Sequence, residues 1–284
     1  MRTRATPGNI IFALAVMGLG VISLATDHFA SVWEPVPKGL PARHALAYAN
    51  GAVMLLLGAG LLLPRARVRA ALLLTSVFVL WFIFLHVPIV VASPGSADGW
   101  SGFGECGALI VGAMLVFAGA TAQGVAARPR FLTGDRGIRL ARVVFALAAF
   151  LMSLGNLAYL QGNADFPPAW IPHWIGWGYL VGLGFIATGL AVLCRTLPRL
   201  ATYTAAWMTT LLTLGCWVSF VIEAPGDRVN WTALMVSSAI AGAGWLLAET
   251  YRNDLWLALP WRAAGGQAPA PAGIGQSVTP TGGE

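Results

Sequence analysis

The residues of this chain best suited to chemistry are four histidines and a few carboxylates set at the edges of apolar stretches. His28 follows a first such stretch with Asp27 beside it, His44 opens a second, His86 nears the end of a third, and Glu105 enters a fourth about one turn past Trp100. If the stretches are antiparallel helices, all of these residues meet at one end of the bundle and can converge in a single pocket. Imidazole and carboxylate groups held together can pass protons. Two or three histidines with a carboxylate also form a donor set for a divalent metal. No two of them stand at i, i+3 or i+4, so the spacing assigns no metal site. His86 lies about six residues inside its stretch, roughly 9 Å deep, and Glu105 about 7 Å deep, at 1.5 Å of rise per residue. An ionisable group at that depth costs a few kcal/mol unless paired, which makes it a functional candidate by default. Pro88 removes a backbone donor and frees the carbonyl of Phe84, so Trp81 and Phe84 are expected to flank the cavity on its membrane side. The plainer alternative is that His28 and His44 are ordinary interfacial residues, and that His86 and Glu105 bond to each other only to hold two helices together.

Eight apolar stretches position these residues, at about 8–27, 43–63, 69–92, 101–123, 138–160, 170–194, 200–223 and 230–249. Each has about the 20 residues that a helix needs to cross the hydrocarbon core. Of the 17 Lys and Arg residues, all but Lys38, Arg43 and Arg228 fall in alternate gaps or at the two ends. Eight crossings put both termini on that basic side, which the positive-inside rule makes cytoplasmic. The opposite side holds Asp27, Glu34, Asp98, Glu105, Asp165, Glu223 and Asp227. A composition of 57% hydrophobic and 10% charged residues, with a mean hydropathy of +0.73, excludes a soluble globule. The pI near 9.8 reflects cytoplasmic loops facing anionic lipid, and no nucleic-acid partner follows from it. Met1-Arg2-Thr3-Arg4 before an apolar run looks like a secretory leader, but no convincing small-x-small site follows and the same run recurs inside the chain.

That recurrence organises the chain. Phe12-Ala-Leu-Ala returns as Phe145-Ala-Leu-Ala, and from Pro41 onward a constant spacing of 131 pairs Pro41 with Pro172, Tyr48 with Tyr179, Gly51 with Gly182, Gly58 with Gly189 and Trp100 with Trp231. The expected fold is an all-α membrane protein whose eight transmembrane helices form two repeated four-helix bundles. Residues 1–123 make the first unit, 124–137 a basic cytoplasmic linker, 138–250 the second unit, and 251–284 a tail without apolar periodicity. Four helices per unit make the repeat parallel. Gly51 and Gly58, like Gly182 and Gly189, lie on one helix face where small residues let helices approach. Trp33, Trp100, Trp170, Trp174 and Trp231 read as an aromatic belt. At the repeat spacing the second half has Gln161, Ile175, Trp217 and Val236 where the first has His28, His44, His86 and Glu105. The first half is therefore the chemical one.

Other motifs fail on context. Gly102-Phe-Gly104-Glu-Cys-Gly107 matches a dinucleotide fingerprint only in letters, since it opens a transmembrane helix. Cys106, Cys194 and Cys216 contain no C-x-x-C, and their odd number argues against a disulfide framework.

The run Asp27-His28-Phe29, Val36-Pro37, Leu40-Pro41, Tyr48, Gly51 and Gly58, with Leu85-His86-Val87-Pro88 and Gly102-Phe-Gly-Glu105, resembles the DoxX-like family of four-helix bacterial membrane proteins. The resemblance covers about 10–120 and returns more weakly over 140–250, as in a fused tandem. It implies a small integral membrane bundle, with some relatives linked to thiosulfate-to-quinone electron transfer. The leading reading is therefore a redox-associated inner-membrane subunit with a membrane or periplasmic redox partner. A quinone or other small lipophile would enter from the bilayer, His86 and Glu105 would act as proton partners, and His28, His44, Asp27 and Trp81 would assist. The alternatives are a non-catalytic assembly or anchoring protein and a small-solute transporter, and no catalytic residue is assigned.

Overall fold

Thr6 starts the first helix, α1 (Pro7–Thr26), by accepting a hydrogen bond from the Asn9 amide, and Pro7 stands at the first position, where its missing N–H costs nothing. Asp27 ends it in the left-handed conformation (φ 55°) that a short polar side chain tolerates. The computed structural model describes residues 5–30, 33–122, 127–162 and 173–259. The remaining helices are α2 (Arg43–Leu62), α3 (Arg67–Ala92), α4 (Ala97–Thr121), α5 (Gly134–Gly162), α6 (Trp174–Cys194), α7 (Pro198–Glu223) and α8 (Arg228–Glu249). Ser96 caps α4 through the Gly99 amide and Asp227 caps α8 through the Val229 amide. Among the described residues all eight helices are long and apolar enough to span a membrane, and there is no strand. The chain is an all-α, multi-pass membrane protein, with helix ends within four residues of those expected. Arg2, Arg4, Asp165, Trp170, Pro172, Trp261, Arg262 and the tail lie outside the described residues.

Consecutive helices pack in each half: α1 on α2, α2 on α3 and α3 on α4, then α5 on α6, α6 on α7 and α7 on α8. The halves meet along α1 with α8, α4 with α5, and α4 with α8. The central helices α4 and α8 are the most buried, while α2, α3, α6 and α7 turn Leu56, Phe84, Val91, Leu183, Leu211 and Ile222 outward. Lipid tails are as apolar as these side chains, so close packing, more than burial, holds the helices together. Phe12, Val16, Met54, Leu74, Phe78, Phe117, Phe145 and Leu247 fill the interior. Small residues bring the backbones together. A Cβ on Gly20 would lie 2.6 Å from the Gly51 carbonyl across α1 and α2, and one on Gly242 would lie 2.6 Å from the Phe12 nitrogen across α8 and α1. Gly58 likewise faces α1, and Gly189 faces Ala146 of α5.

Two spans carry a π turn, Phe82–His86 in α3 and Thr213–Trp217 in α7, the second 131 residues after the first. In the first, the Val87 N–H bonds to the Phe82 carbonyl, so the extra residue widens the turn just ahead of Pro88. The second has Ser219 in place of proline, and its hydroxyl donates to the Gly215 carbonyl at 2.7 Å. The π turn therefore persists without the proline. The starts of α2 and α6 share the same spacing, each preceded by a left-handed residue, Ala42 (φ 54°) and His173 (φ 53°).

At the basic end Arg142 of α5 reaches past the end of α8. Its Nε donates to Thr250 Oγ1 at 3.0 Å, its Nη2 to the Thr250 carbonyl at 2.5 Å, and its guanidinium lies 3.8 Å over the Tyr251 ring. Asn9 and Arg67 both donate to the Leu61 carbonyl, tying α1 and α3 to the end of α2.

Candidate functional site

The left-handed turn at Asp27 aims its carboxylate between two helix ends. Asp27 Oδ1 lies 2.5 Å from His28 Nδ1, and Oδ2 lies 3.1 Å from His44 Nδ1 at the start of α2. The two imidazoles meet edge to face, with centroids 5.5 Å apart. His28 Nδ1 also faces the Thr26 carbonyl at 2.5 Å, and His44 Nδ1 faces the Asp27 carbonyl at 3.3 Å. Carboxylate and carbonyl oxygens accept only, so each Nδ1 carries the hydrogen and each Nε2 is the free acceptor. All three side chains are substantially solvent-exposed.

A second group lies deeper, built on the connection from α1 to α2. Glu34 is 2% exposed, and its Oε2 accepts from the Ala30 amide at 2.9 Å and its Oε1 from the Asn50 side chain of α2 at 3.0 Å. Burial pushes its pKa up to about 7, offset in part by the Ala30 and Asn50 donors that favour the charged form. Next to it the half-buried Trp33 joins two other helices. Its indole N–H donates to Glu105 Oε2 of α4, and its carbonyl accepts from His86 Nε2 of α3 at 3.1 Å. Ser101, one turn before Glu105, donates to Oε1 at 3.3 Å. The carbonyl can only accept, so His86 bears its hydrogen on Nε2, leaving Nδ1 as the basic nitrogen of the neutral ring. That edge of the ring faces Gly102, where a Cβ would stand 3.7 Å from Nδ1. Between these groups is a cavity of about 10 Å³ lined by Trp33, Glu34, Trp81, His86, Cys106 and Val236, with room for no more than one water molecule. The Arg228 guanidinium of α8 donates to the Phe29 carbonyl at 2.9 Å and fastens the same connection from the other half.

The single convergent pocket expected from the sequence is thus two groups. Asp27, His28 and His44 cluster at the surface, while His86, Glu105 and Trp81 belong to the inner one. His86 and Glu105 are bridged by Trp33 and not bonded directly, because the turn carrying Trp33 inserts between α3 and α4. Phe84 does not flank the cavity. It is 68% exposed, because the π turn rotates His86 inward and Phe84 outward. Trp33, expected in the interfacial belt, is instead the bridge. Glu34 was legible only as one more acid on its side of the membrane. The signal for it was Asn50, the one amide within the apolar run of α2, which needs a polar partner at that depth. Val236, 131 residues after Glu105 in the chain, lines the cavity from α8. Comparison with protein families, curated proteins and solved structures returns no match.

Proposed function

We propose that this is a DoxX-like tandem of two four-helix units in a bacterial inner membrane, with both termini cytoplasmic. Its outward end handles protons for a membrane or periplasmic redox partner or for a quinone-like lipophile. The arginine asymmetry supports the orientation. Helix starts, π turns and indole contacts that recur at one spacing support the duplication. Trp100 and Trp231, for example, donate to the carbonyls of Pro94 and Pro225 at 2.8 and 2.9 Å. The observation that carries the proton reading is the inner network, in which the buried Glu34 carboxyl of near-neutral pKa and the His86 imidazole line a space fit for one water, and Trp33 links His86 to a second carboxyl, Glu105.

A cavity of that size takes no quinone ring, so a lipophile would lie in the bilayer against the α3–α4 face. There the Nδ1 edge of His86 faces Gly102, which has no side chain, and Phe82, Phe103 and Trp100 form a continuous aromatic surface. Proton transfer through His86 then needs a ring shift of a few ångströms and no new pocket. Binding of a soluble quinone analogue to purified protein tests this. Affinity should fall in His86→Ala and in Gly102→Leu, which covers the ring edge. Unchanged affinity in both variants, each shown to be folded by circular dichroism, rules the reading out.

A second reading, a non-catalytic assembly or anchoring protein, is favoured by the satisfaction of both carboxyls by internal donors, since such a network also specifies packing. It predicts that the same substitutions lower stability and leave ligand response unchanged.

A further inference from the structure

We propose that Asp27, His28 and His44 form a site for a divalent transition metal of the zinc class at the surface of the α1–α2 end. The proposal is independent of the proton reading, because none of the three residues belongs to the inner network.

The three donors come from two helix ends that the fold already holds together. Asp27 and His28 follow the last turn of α1, His44 is the second residue of α2, and α1 and α2 pack along their length through Gly20 and Gly51. One ligand atom from each residue lies within 4.8 Å of the others. Zinc bound at about 2.0–2.1 Å by nitrogen and oxygen needs ligand atoms roughly 3.4 Å apart at tetrahedral angles, so the widest separation has to close by at most about 1.4 Å while the 2.5 and 3.1 Å contacts to Asp27 open to admit the ion. Exposed side chains on a turn make that movement without disturbing the core.

The present contacts show the same preference in another form. Both Nδ1 atoms point at the Asp27 carboxylate, and the hydrogens they carry occupy the space that a cation bound to the same three atoms would take. A shift of each hydrogen to Nε2 exposes the Nδ1 lone pairs to the ion. Two imidazoles, one carboxylate and water are the donor set of open zinc sites, and they disfavour magnesium and calcium, which demand oxygen. The nearest cation in sequence, Arg43, lies with its guanidinium 5.6 Å over the Phe29 ring. A bound ion would tie the end of α1 to the start of α2 and so brace the connection that carries Trp33 and Glu34.

The test is titration of tag-free, full-length protein in detergent with Zn2+, followed by calorimetry and thermal unfolding, with Co2+ as a spectroscopic probe and Mg2+ as the control. Wild-type protein should bind one Zn2+, unfold at a higher temperature with it, and give the visible absorption of tetrahedral Co2+. His44→Ala and Asp27→Asn should weaken binding by more than about 10-fold, the loss that even an outer-shell partner produces. His44→Cys should restore affinity and add sulfur-to-cobalt charge transfer, which places residue 44 on the metal whatever its effect on stability. Equal Zn2+ binding by wild type and His44→Ala, no binding by wild type, or a His44→Cys protein without the charge-transfer band would overturn the proposal.

Discussion

Glu34→Gln replaces a carboxyl whose pKa the fold raises from 4.5 to about 7 by a neutral group of nearly the same shape. The folded protein holds the Glu34 proton more tightly than the unfolded chain does, so the sign is set. Below about pH 4.5 the carboxyl is protonated in both states and its contribution to stability is full. Between about 4.5 and 7 the unfolded chain releases the proton while the folded one retains it, and stability falls as pH rises. Above 7 the loss is complete. At about 1.4 kcal/mol per pH unit the difference amounts to roughly 3 kcal/mol. The substituted glutamine has no such dependence, and it can keep both present contacts, because its carbonyl accepts from Ala30 while Asn50 rotates its amide to receive the new N–H. The assay is the unfolding midpoint in mild detergent for both proteins from about pH 4 to 8, taken as a difference so that contributions common to both cancel. Infrared absorption of the protonated carboxyl, titrated over the same range, gives the midpoint directly. Wild type should lose stability relative to Glu34→Gln across that window, with a carboxyl band that disappears near pH 7. A flat difference, or a carboxyl already ionised at pH 5, refutes the claim that burial dominates its two hydrogen bonds.

Trp33→Phe keeps the backbone contact to His86 and removes the donor to Glu105, and should cost about 1–3 kcal/mol in unfolding, the usual penalty for orphaning a buried acceptor. Gly242→Leu drives a side chain into the Phe12 backbone and should lower stability by at least about 1–3 kcal/mol, whereas Gly39→Ala, with nothing within 4 Å, should be nearly silent in the same thermal scan. Arg142→Lys should behave almost like Arg142→Ala in unfolding experiments, since a single ammonium cannot make the paired contacts to Thr250 while stacking on Tyr251.

Helix number and helix ends were legible because apolar length is a one-dimensional property. The small residues that bring α1 and α2 together were legible for the same reason, since Gly51 and Gly58 stand two turns apart on one face. The inner group was legible only in part of its membership. His86 and Glu105 stood out by their depth and do share a network, but the residue that joins them, Trp33, lies in a connection whose path no periodicity describes. Pro88 does end a regular run, but the π turn it follows rotates the Phe84 side chain outward, so the inference from the freed Phe84 carbonyl placed that side chain wrongly beside the cavity. Glu34 illustrates the remaining limit. Its identity is ordinary for a loop, and only its enclosure by Ala30 and Asn50 changes its chemistry.

The packing of α1 on α8 has a consequence for synthesis. The chain is made from its amino end, yet α1 meets the helix that covers Gly8 and Phe12 only after the last span has been made, about 200 residues later. At roughly 5–20 residues per second this is an interval of about 10–40 s. Through that time α1 shelters Asn9 and its glycine face against α2 alone, while α4 waits for α5 just beyond the linker. Translation pauses, early termination or separately expressed halves should therefore leave α1 exposed to insertion errors and membrane quality control, a vulnerability invisible in the finished bundle.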